Sequence, residues 1–113
     1  MPPDLKLAKL TRLKSGLETV QAELSLHLLI ALITIAARPG LSVNDLADEL
    51  KVPQQTASRY VAMLLARYQN VSTSLQVPLI AQQISEEDPR KRALTLTDQG
   101  RDRLEHLLEA MNE

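Results

Sequence analysis

Residues 88–101 limit the possible folds of this chain more than any other segment does. They open with Asp88-Pro89, a pair that favours a turn. Three cations follow the turn: Arg90, Lys91 and Arg92. Apolar and hydroxyl side chains then alternate over residues 94–97, which is the period of a half-buried strand, and Thr97 stands at a helix N-cap position. The segment therefore predicts a basic hairpin joined to a helix, an arrangement suited to holding a phosphate backbone.

Residues 41–65 predict two short helices separated by a sharp break. Ser42 stands at the N-cap of the first helix, and Asp45 lies three residues later in a variant of the capping box. Pro53 suits the first turn of the second helix because its fixed φ is already helical. The apolar stripes that would face each other are Val43, Leu46, Ala47 and Leu50 on the first helix and Ala57, Val61, Leu64 and Leu65 on the second. This pattern predicts a helix-turn-helix.

The second helix, residues 53–65, keeps a polar face that the apolar stripe does not use. Its members are Gln54, Gln55, Thr56, Ser58 and Arg59. Glutamine can hydrogen-bond adenine, arginine can bond guanine, and hydroxyl groups can bond either base or a phosphate. The five polar side chains cluster at the N-terminal end of the second helix, and in this motif that end enters the major groove. We therefore predict that these five side chains and the three hairpin cations bind DNA.

Together these segments resemble the MarR family of winged-helix regulators, from about residue 25 to residue 103. The resemblance rests on Pro39-Gly40-Leu41-Ser42, Asp45-Leu46-Ala47, Thr56-Ala57-Ser58-Arg59 and Leu96-Thr97-Asp98-Gln99-Gly100-Arg101, of which the last is the most specific. It implies a homodimeric regulator that binds duplex DNA, usually as a repressor, and that a small-molecule effector releases in some members.

The chain departs from the family pattern in two places. Lys51 replaces the usual glycine between the two helices, so it has to accept a left-handed conformation at some cost in strain. The connector over residues 69–78 is longer than the usual link between the second helix and the wing. The register of the first wing strand is therefore left open.

The predicted fold is mainly α with a small β-hairpin wing: four helices, two strands and a fifth helix, with a third short strand near Leu41. Leucine stripes divide it into an N-terminal dimerisation helix at 1–24, a winged helix-turn-helix domain at 25–96 and a C-terminal dimerisation helix at 97–113. The stripes are Leu10, Leu13, Leu17, Val20 and Leu24, and Leu104, Leu107, Leu108 and Met111. The alternative is that both stripes pack on the chain's own core.

Charge and aromatic content favour duplex DNA over other nucleic acids. The net charge is only −1, but residues 50–85 contain no Asp or Glu, so the polar helix face carries no carboxylate that would repel phosphate. The chain has no Trp or Phe and only two Tyr, too few for the stacking platforms that bind single strands. Tyr60 could contact a phosphate or pack under the wing.

Nothing in the sequence predicts an enzyme, a cofactor or a metal site. There is no Cys, the three Gly are isolated, and neither His27 nor His106 has a second ligand at metal spacing. The longest apolar run, residues 28–37, is too short to cross a bilayer and no signal peptide is present, which favours a cytoplasmic protein without a membrane partner.

The leading functional hypothesis is a sequence-specific transcriptional regulator, a dimeric repressor that reads an inverted repeat. In this hypothesis the 53–65 helix lies in the major groove and the 86–92 wing lies on the backbone. Two alternatives remain open: a winged-helix replication or partition factor of a plasmid or phage, and a protein-interaction adaptor that does not bind DNA.

Overall fold

The computed structural model describes residues 7–21, 24–66, 77–84 and 91–111. These residues form five helices and one antiparallel hairpin in the predicted order: α1 Leu7–Gln21, α2 Leu26–Ala37, α3 Val43–Leu50, α4 Gln54–Leu64, β1 Ile80–Ile84, β2 Arg92–Leu96 and α5 Asp98–Met111. The predicted winged helix-turn-helix, mainly α with a small wing, is confirmed. Arg90, residues 86–88 and most of the 69–78 connector lie outside the described residues.

Helix α2 lies at the centre of the core because its sequence is apolar on almost every side. It contacts α3, α4, β2 and α5, and five of its side chains are buried. The largest side chains that are fully buried come from α2, both helices of the helix-turn-helix, both wing strands and the residue before β1: Leu32, Ile35, Leu46, Leu64, Leu79, Ile80 and Leu94. One core therefore fixes the wing and the helix-turn-helix relative to each other.

The ends of α2 and α3 are fixed by local hydrogen bonds that the sequence predicts, since Ser25 stands before the apolar run of α2 at an N-cap position just as Ser42 does before α3. The Ser25 Oγ accepts from the backbone N–H of Leu28 at 3.3 Å. The Ser42 Oγ accepts from the Asp45 N–H at 3.2 Å, and the Asp45 carboxylate accepts from the Ser42 N–H at 3.1 Å, which completes the capping box. Lys51 ends α3 in the left-handed conformation with φ 57°. The predicted caps and the strained turn at Lys51 are confirmed.

The capping box makes the stability of α3 depend on pH. The Ser42 N–H that donates to Asp45 holds the pKa of this carboxyl below its ordinary value of 3.8, and the charges of Lys91 and Arg38 act in the same direction, whereas burial opposes them. A carboxyl group whose pKa is lowered in the folded state stabilises the protein above 3.8 and loses this contribution as the pH falls through its folded-state pKa.

We expect Asp45→Asn to lower the free energy of unfolding at neutral pH by about 0.3–1 kcal/mol, because the amide keeps an acceptor but loses the charge at the helix N-terminus. Urea unfolding of both proteins over a pH series measures the difference. The gap should close as the pH falls below 3.8. A gap that stays constant across the series would contradict the role of the charge.

Helix α4 starts one residue later than its sequence suggests. Pro53 was expected inside the first turn, but it is the N-cap, with φ −60° and an extended ψ of 152°. Its carbonyl accepts from the N–H groups of Thr56 and Ala57 at 3.0 and 3.1 Å, so the proline starts the hydrogen-bonded turn without belonging to the helix. The φ of proline suits both positions, and ψ decides between them.

The structure determines the register of the wing, which the sequence left open. Ile80 pairs with Leu96, and Ile84 pairs with Arg92. The third strand expected near Leu41 is not formed, and the sheet of the described residues has two strands. Two backbone hydrogen bonds still join this segment to the other side of β2: the Leu94 carbonyl accepts from the Gly40 N–H, and the Leu94 N–H donates to the Leu41 carbonyl, both at 2.9 Å. The wing is therefore fastened to the turn that precedes α3.

Helices α1 and α5 pack against each other within one chain. Leu24 and Leu107, which the sequence analysis assigned to dimerisation stripes, are only 2% and 8% exposed and belong to the chain's own core. By contrast, Leu10 and Leu108 are 43% and 55% exposed. The side chains of Val20 and Met111 lie outside the described part of the chain. The stripes are thus divided between core and surface.

Among the helices within residues 7–21, 24–66 and 91–111, none combines the length and the hydropathy that crossing a membrane requires.

Candidate nucleic-acid interface

The outward face of α4 presents most of the predicted base-reading residues to solvent. Gln54, Gln55, Ser58 and Arg59 are exposed, whereas Thr56 is half-buried. Gln55 and Arg59 are separated by one helical turn, so their side chains lie on the same face. Amide, hydroxyl and guanidinium groups at this spacing can hydrogen-bond the edges of neighbouring base pairs. Because Thr56 is half-buried, it is less accessible than the other four.

The N-terminus of α4 differs from those of its neighbours because no side chain caps it. Ser25, Ser42 and Thr97 each place a hydroxyl oxygen on the first turn of α2, α3 or α5. Pro53 offers no such acceptor, and the first turn of α4 contains no acidic residue. Free N–H groups at a helix start attract anions, and phosphate is an anion that would fit there.

Two sets of contacts hold α4 in place beneath this face. Ala57, Val61 and Leu64 are buried as predicted, and Leu65 is half-buried against the core. Tyr60 stacks on His27 of α2, with ring centroids 6.2 Å apart and planes 25° apart. Neither interpretation of Tyr60 from the sequence anticipated this contact, because the pairing joins helices that are distant in sequence.

The wing contributes two of its three predicted cations within the described residues. Lys91 and Arg92 are exposed, and Arg90 lies outside that part of the chain. Arg92 is the first residue of β2, so its backbone is fixed by pairing with Ile84. The backbone of Leu94 on β2 is hydrogen-bonded to Gly40 and Leu41, directly before the start of α3. The base of the wing and the helix-turn-helix therefore lie close together.

Residues 77–79 form a connection that the sequence analysis missed. The N–H of Leu79 donates to the carbonyl of Leu64, the last residue of α4, at 2.8 Å. The carbonyl of Leu79 accepts from the N–H of Thr97 at 3.1 Å. The only sequence signal was the pair Thr97 and Gly100 at the start of α5, which resembled the family without indicating what they contact.

Comparison with known proteins gives a structural match only. No protein-family model matches the chain, and no curated protein does. Among solved structures, a DNA complex of MepR from S. aureus is 22% identical with a TM-score of 0.67, covering 90% of this chain and 74% of that one. RV1404 from Mycobacterium tuberculosis is 18% identical with a TM-score of 0.72, covering 90% and 63%.

A third similar structure is that of the transcriptional regulator PcaV from Streptomyces coelicolor in complex with its natural ligand. It is 22% identical with a TM-score of 0.60, covering 80% of this chain and 59% of PcaV. The chain spans 64–66% of the length of three further chains that it matches. The similar structures include MarR-family regulators, and at these identities the similarity shows that this chain has their winged helix-turn-helix fold.

Proposed function

We propose that this protein is a transcriptional regulator that binds specific sequences in duplex DNA. The observation that carries the proposal is the outward face of α4, where Gln54, Gln55, Ser58 and Arg59 are exposed beside a helix start that has neither a side-chain cap nor an acidic residue. Such a face can contact base edges and phosphates together. MepR, which shares the fold, is known as a DNA complex, and this supports the same assignment.

The proposed geometry places α4 in the major groove and the wing on the neighbouring backbone, as in other helix-turn-helix proteins. Within the 86–92 wing, Lys91 and Arg92 would meet phosphates, together with Arg90. Regulation is proposed to be repression, with a small-molecule effector that releases the DNA. A solved complex of PcaV with its natural ligand supports an effector of this kind. The proposed location is the cytoplasm, where the DNA is accessible.

Selection from a pool of random duplexes tests the proposal directly. We expect the retained duplexes to share one sequence that forms an inverted repeat. A pool that binds without any sequence enrichment would contradict sequence-specific recognition. If no duplex is retained at low salt, the protein-interaction adaptor becomes the better hypothesis.

The wing can be tested separately from α4. Changing Arg90, Lys91 and Arg92 to Ala should weaken binding to all duplexes by the same factor, because phosphate contacts carry no sequence information. Each lost contact should reduce the slope of log K against log salt by about 1. Titrations at several salt concentrations measure this slope.

The matched control for the wing changes Lys9 and Lys14, two exposed cations of α1, to Ala. It should leave the slope as in the wild type. A wing variant that keeps the wild-type slope but prefers other sequences would mean that the wing reads bases.

We propose further that the protein acts as a homodimer, since a single winged helix covers only one half-site. Two copies related by a two-fold axis would present their α4 helices about 34–36 Å apart, or a multiple of that distance, on one face of the duplex. Large apolar side chains that three helices leave exposed support this interface: Leu7, Leu10, Leu26, Ile30, Ile33 and Leu108. Exposed apolar patches are typical of association sites.

Leu10→Glu combined with Leu108→Glu should give a monomer and weaken specific binding by at least about 100-fold, because the second half-site contact ceases to be intramolecular. Light scattering and titration of the selected duplex measure both effects. Lys9→Glu with His106→Glu is the matched control, since both of these side chains are exposed and polar. A wild type that is monomeric and selects a site without two-fold symmetry would contradict the dimer.

A further inference from the structure

We propose that Thr97 is a positioning residue that couples α5 to the recognition helix α4 through the backbone of Leu79. The placement of α5 then sets the placement of the DNA-reading face. This inference rests on the proposed DNA-binding function for its consequence, while the coupling itself is a property of the fold. Three consecutive contacts carry it.

The first contact is at the C-terminal end of α4. Leu64 is its last residue and is fully buried, and its carbonyl accepts from the Leu79 N–H at 2.8 Å. The last carbonyls of a helix have no partner within the helix, so this bond from Leu79 fixes an otherwise free end. Ala66, with φ 60°, turns the chain away directly afterwards. The position of α4 at this end is therefore tied to Leu79.

The second contact is made by Thr97 at the other side of the same segment. Its backbone N–H donates to the Leu79 carbonyl at 3.1 Å, and its Oγ1 donates to the Pro78 carbonyl at 2.8 Å. The same Oγ1 accepts from the Gly100 N–H at 3.1 Å and so caps α5. The hydroxyl group thus joins the first turn of α5 to Pro78, and the backbone N–H of the same residue joins it to Leu79.

The third contact is the close approach of Gly100 to the backbone of Leu79. A Cβ atom on Gly100 would lie 2.1 Å from the Leu79 carbonyl oxygen, so the first turn of α5 already touches this backbone. Leu79 is fully buried and cannot move outward without opening the core. A shift of α5 is therefore transmitted to Leu79, and from Leu79 to the end of α4.

The link from α5 to α4 provides a way to regulate the proposed DNA binding. Helix α5 packs on α1, which carries part of the exposed apolar surface. Anything that repositions α5, such as a partner copy or an effector, would act on α4 through this path. Coupling of this kind is reciprocal, so DNA bound at α4 must also stabilise the first turn of α5.

The experiment uses Thr97→Val, which keeps the size and branching of the side chain but removes both hydroxyl hydrogen bonds. Thr95→Val is the matched control, because Thr95 lies on β2 two residues earlier and makes none of the contacts described above. Hydrogen exchange of the free proteins is followed at the Leu79 amide and at the last turn of α4. The same exchange is then measured with a selected duplex bound.

For Thr97→Val we expect faster exchange at these amides and a loss of discrimination between selected and scrambled duplexes of about five- to tenfold, the effect of a lost hydrogen bond. Non-specific affinity should stay as in the wild type. Thr95→Val should change neither quantity. In the wild type, bound DNA should slow exchange at the amides of Gly100 and Arg101, and this effect should be weaker in Thr97→Val.

A Thr97→Val protein that is less stable but discriminates as the wild type does would overturn the proposal, because a purely structural role would give that result. If the variant does not fold, the wild-type experiment decides: bound DNA that leaves exchange at Gly100 and Arg101 unchanged also overturns it. A wild type that binds no duplex contradicts the proposed function instead. The exchange of the free proteins still tests the coupling in that case.

Discussion

Gly100→Ala should destabilise the protein by about 3 kcal/mol, because the added methyl group overlaps the backbone of Leu79. The Cβ would lie 2.1 Å from the Leu79 carbonyl oxygen and 3.0 Å from its carbon. Backbone atoms of a buried segment cannot give way as the end of a side chain can. For a chain of this size the midpoint of thermal unfolding should fall by roughly 10–20 °C.

The sign of the stability change at Gly100 distinguishes the close contact from the ordinary effect of alanine in a helix. Alanine in place of a helical glycine ordinarily stabilises a helix by roughly 0.5–1 kcal/mol, so a large loss at Gly100 can only come from the close contact. Gly40→Ala is the control, since no atom beyond its two chain neighbours lies within 4 Å of an added Cβ and only its φ of +95° opposes a side chain. It should cost about 1–2 kcal/mol. A Gly100→Ala protein as stable as the wild type would contradict the packing described here.

Arg59→Ala and Gln55→Ala should each reduce discrimination between the selected duplex and a scrambled one by about 1–3 kcal/mol, the value of a good contact to a base edge. Both side chains are exposed on the outward face of α4, so neither change should alter the free energy of unfolding by more than about 0.5 kcal/mol. Competition titrations with the two duplexes measure discrimination, and thermal unfolding measures stability.

Arg101→Ala is the matched control for Arg59, because it removes an exposed arginine that pairs with Asp98 on α5. It should leave discrimination unchanged. If both recognition-helix variants discriminate as the wild type does, these residues do not read bases. If both variants bind all duplexes more weakly by the same factor, Gln55 and Arg59 contact phosphate instead.

The sequence by itself determined the features that depend on neighbours along the chain. The Ser42 and Asp45 capping box and the Thr97 cap follow from residue types at fixed short spacing, and the structure contains both. The left-handed Lys51 was expected only from the family resemblance, in which a glycine usually stands at this position, and the structure contains it too. The order of helices and strands was equally predictable, because apolar residues recur with the period of each element. The polar face of α4 was predicted in the same way, because it consists of the helix positions that the apolar stripe does not occupy.

The tertiary structure alone decided how each apolar stripe is used. Leu107 and Leu108 are adjacent in one stripe, yet one is 8% exposed and the other 55% exposed. Periodicity identifies a face of a helix, but the neighbours that cover this face come from distant parts of the chain. The stack of Tyr60 on His27 has the same origin.

The connection through Leu79 was beyond sequence reasoning for a related physical reason. Its hydrogen bonds join the backbone of residue 79 to residues 64 and 97, and backbone groups are the same in every residue. Side-chain patterns therefore do not predict backbone hydrogen bonds between residues that lie this far apart in the sequence. Apart from the Thr97 cap, the sequence carries one sign of this connection: the glycine at position 100, where the close approach of two backbones excludes every side chain.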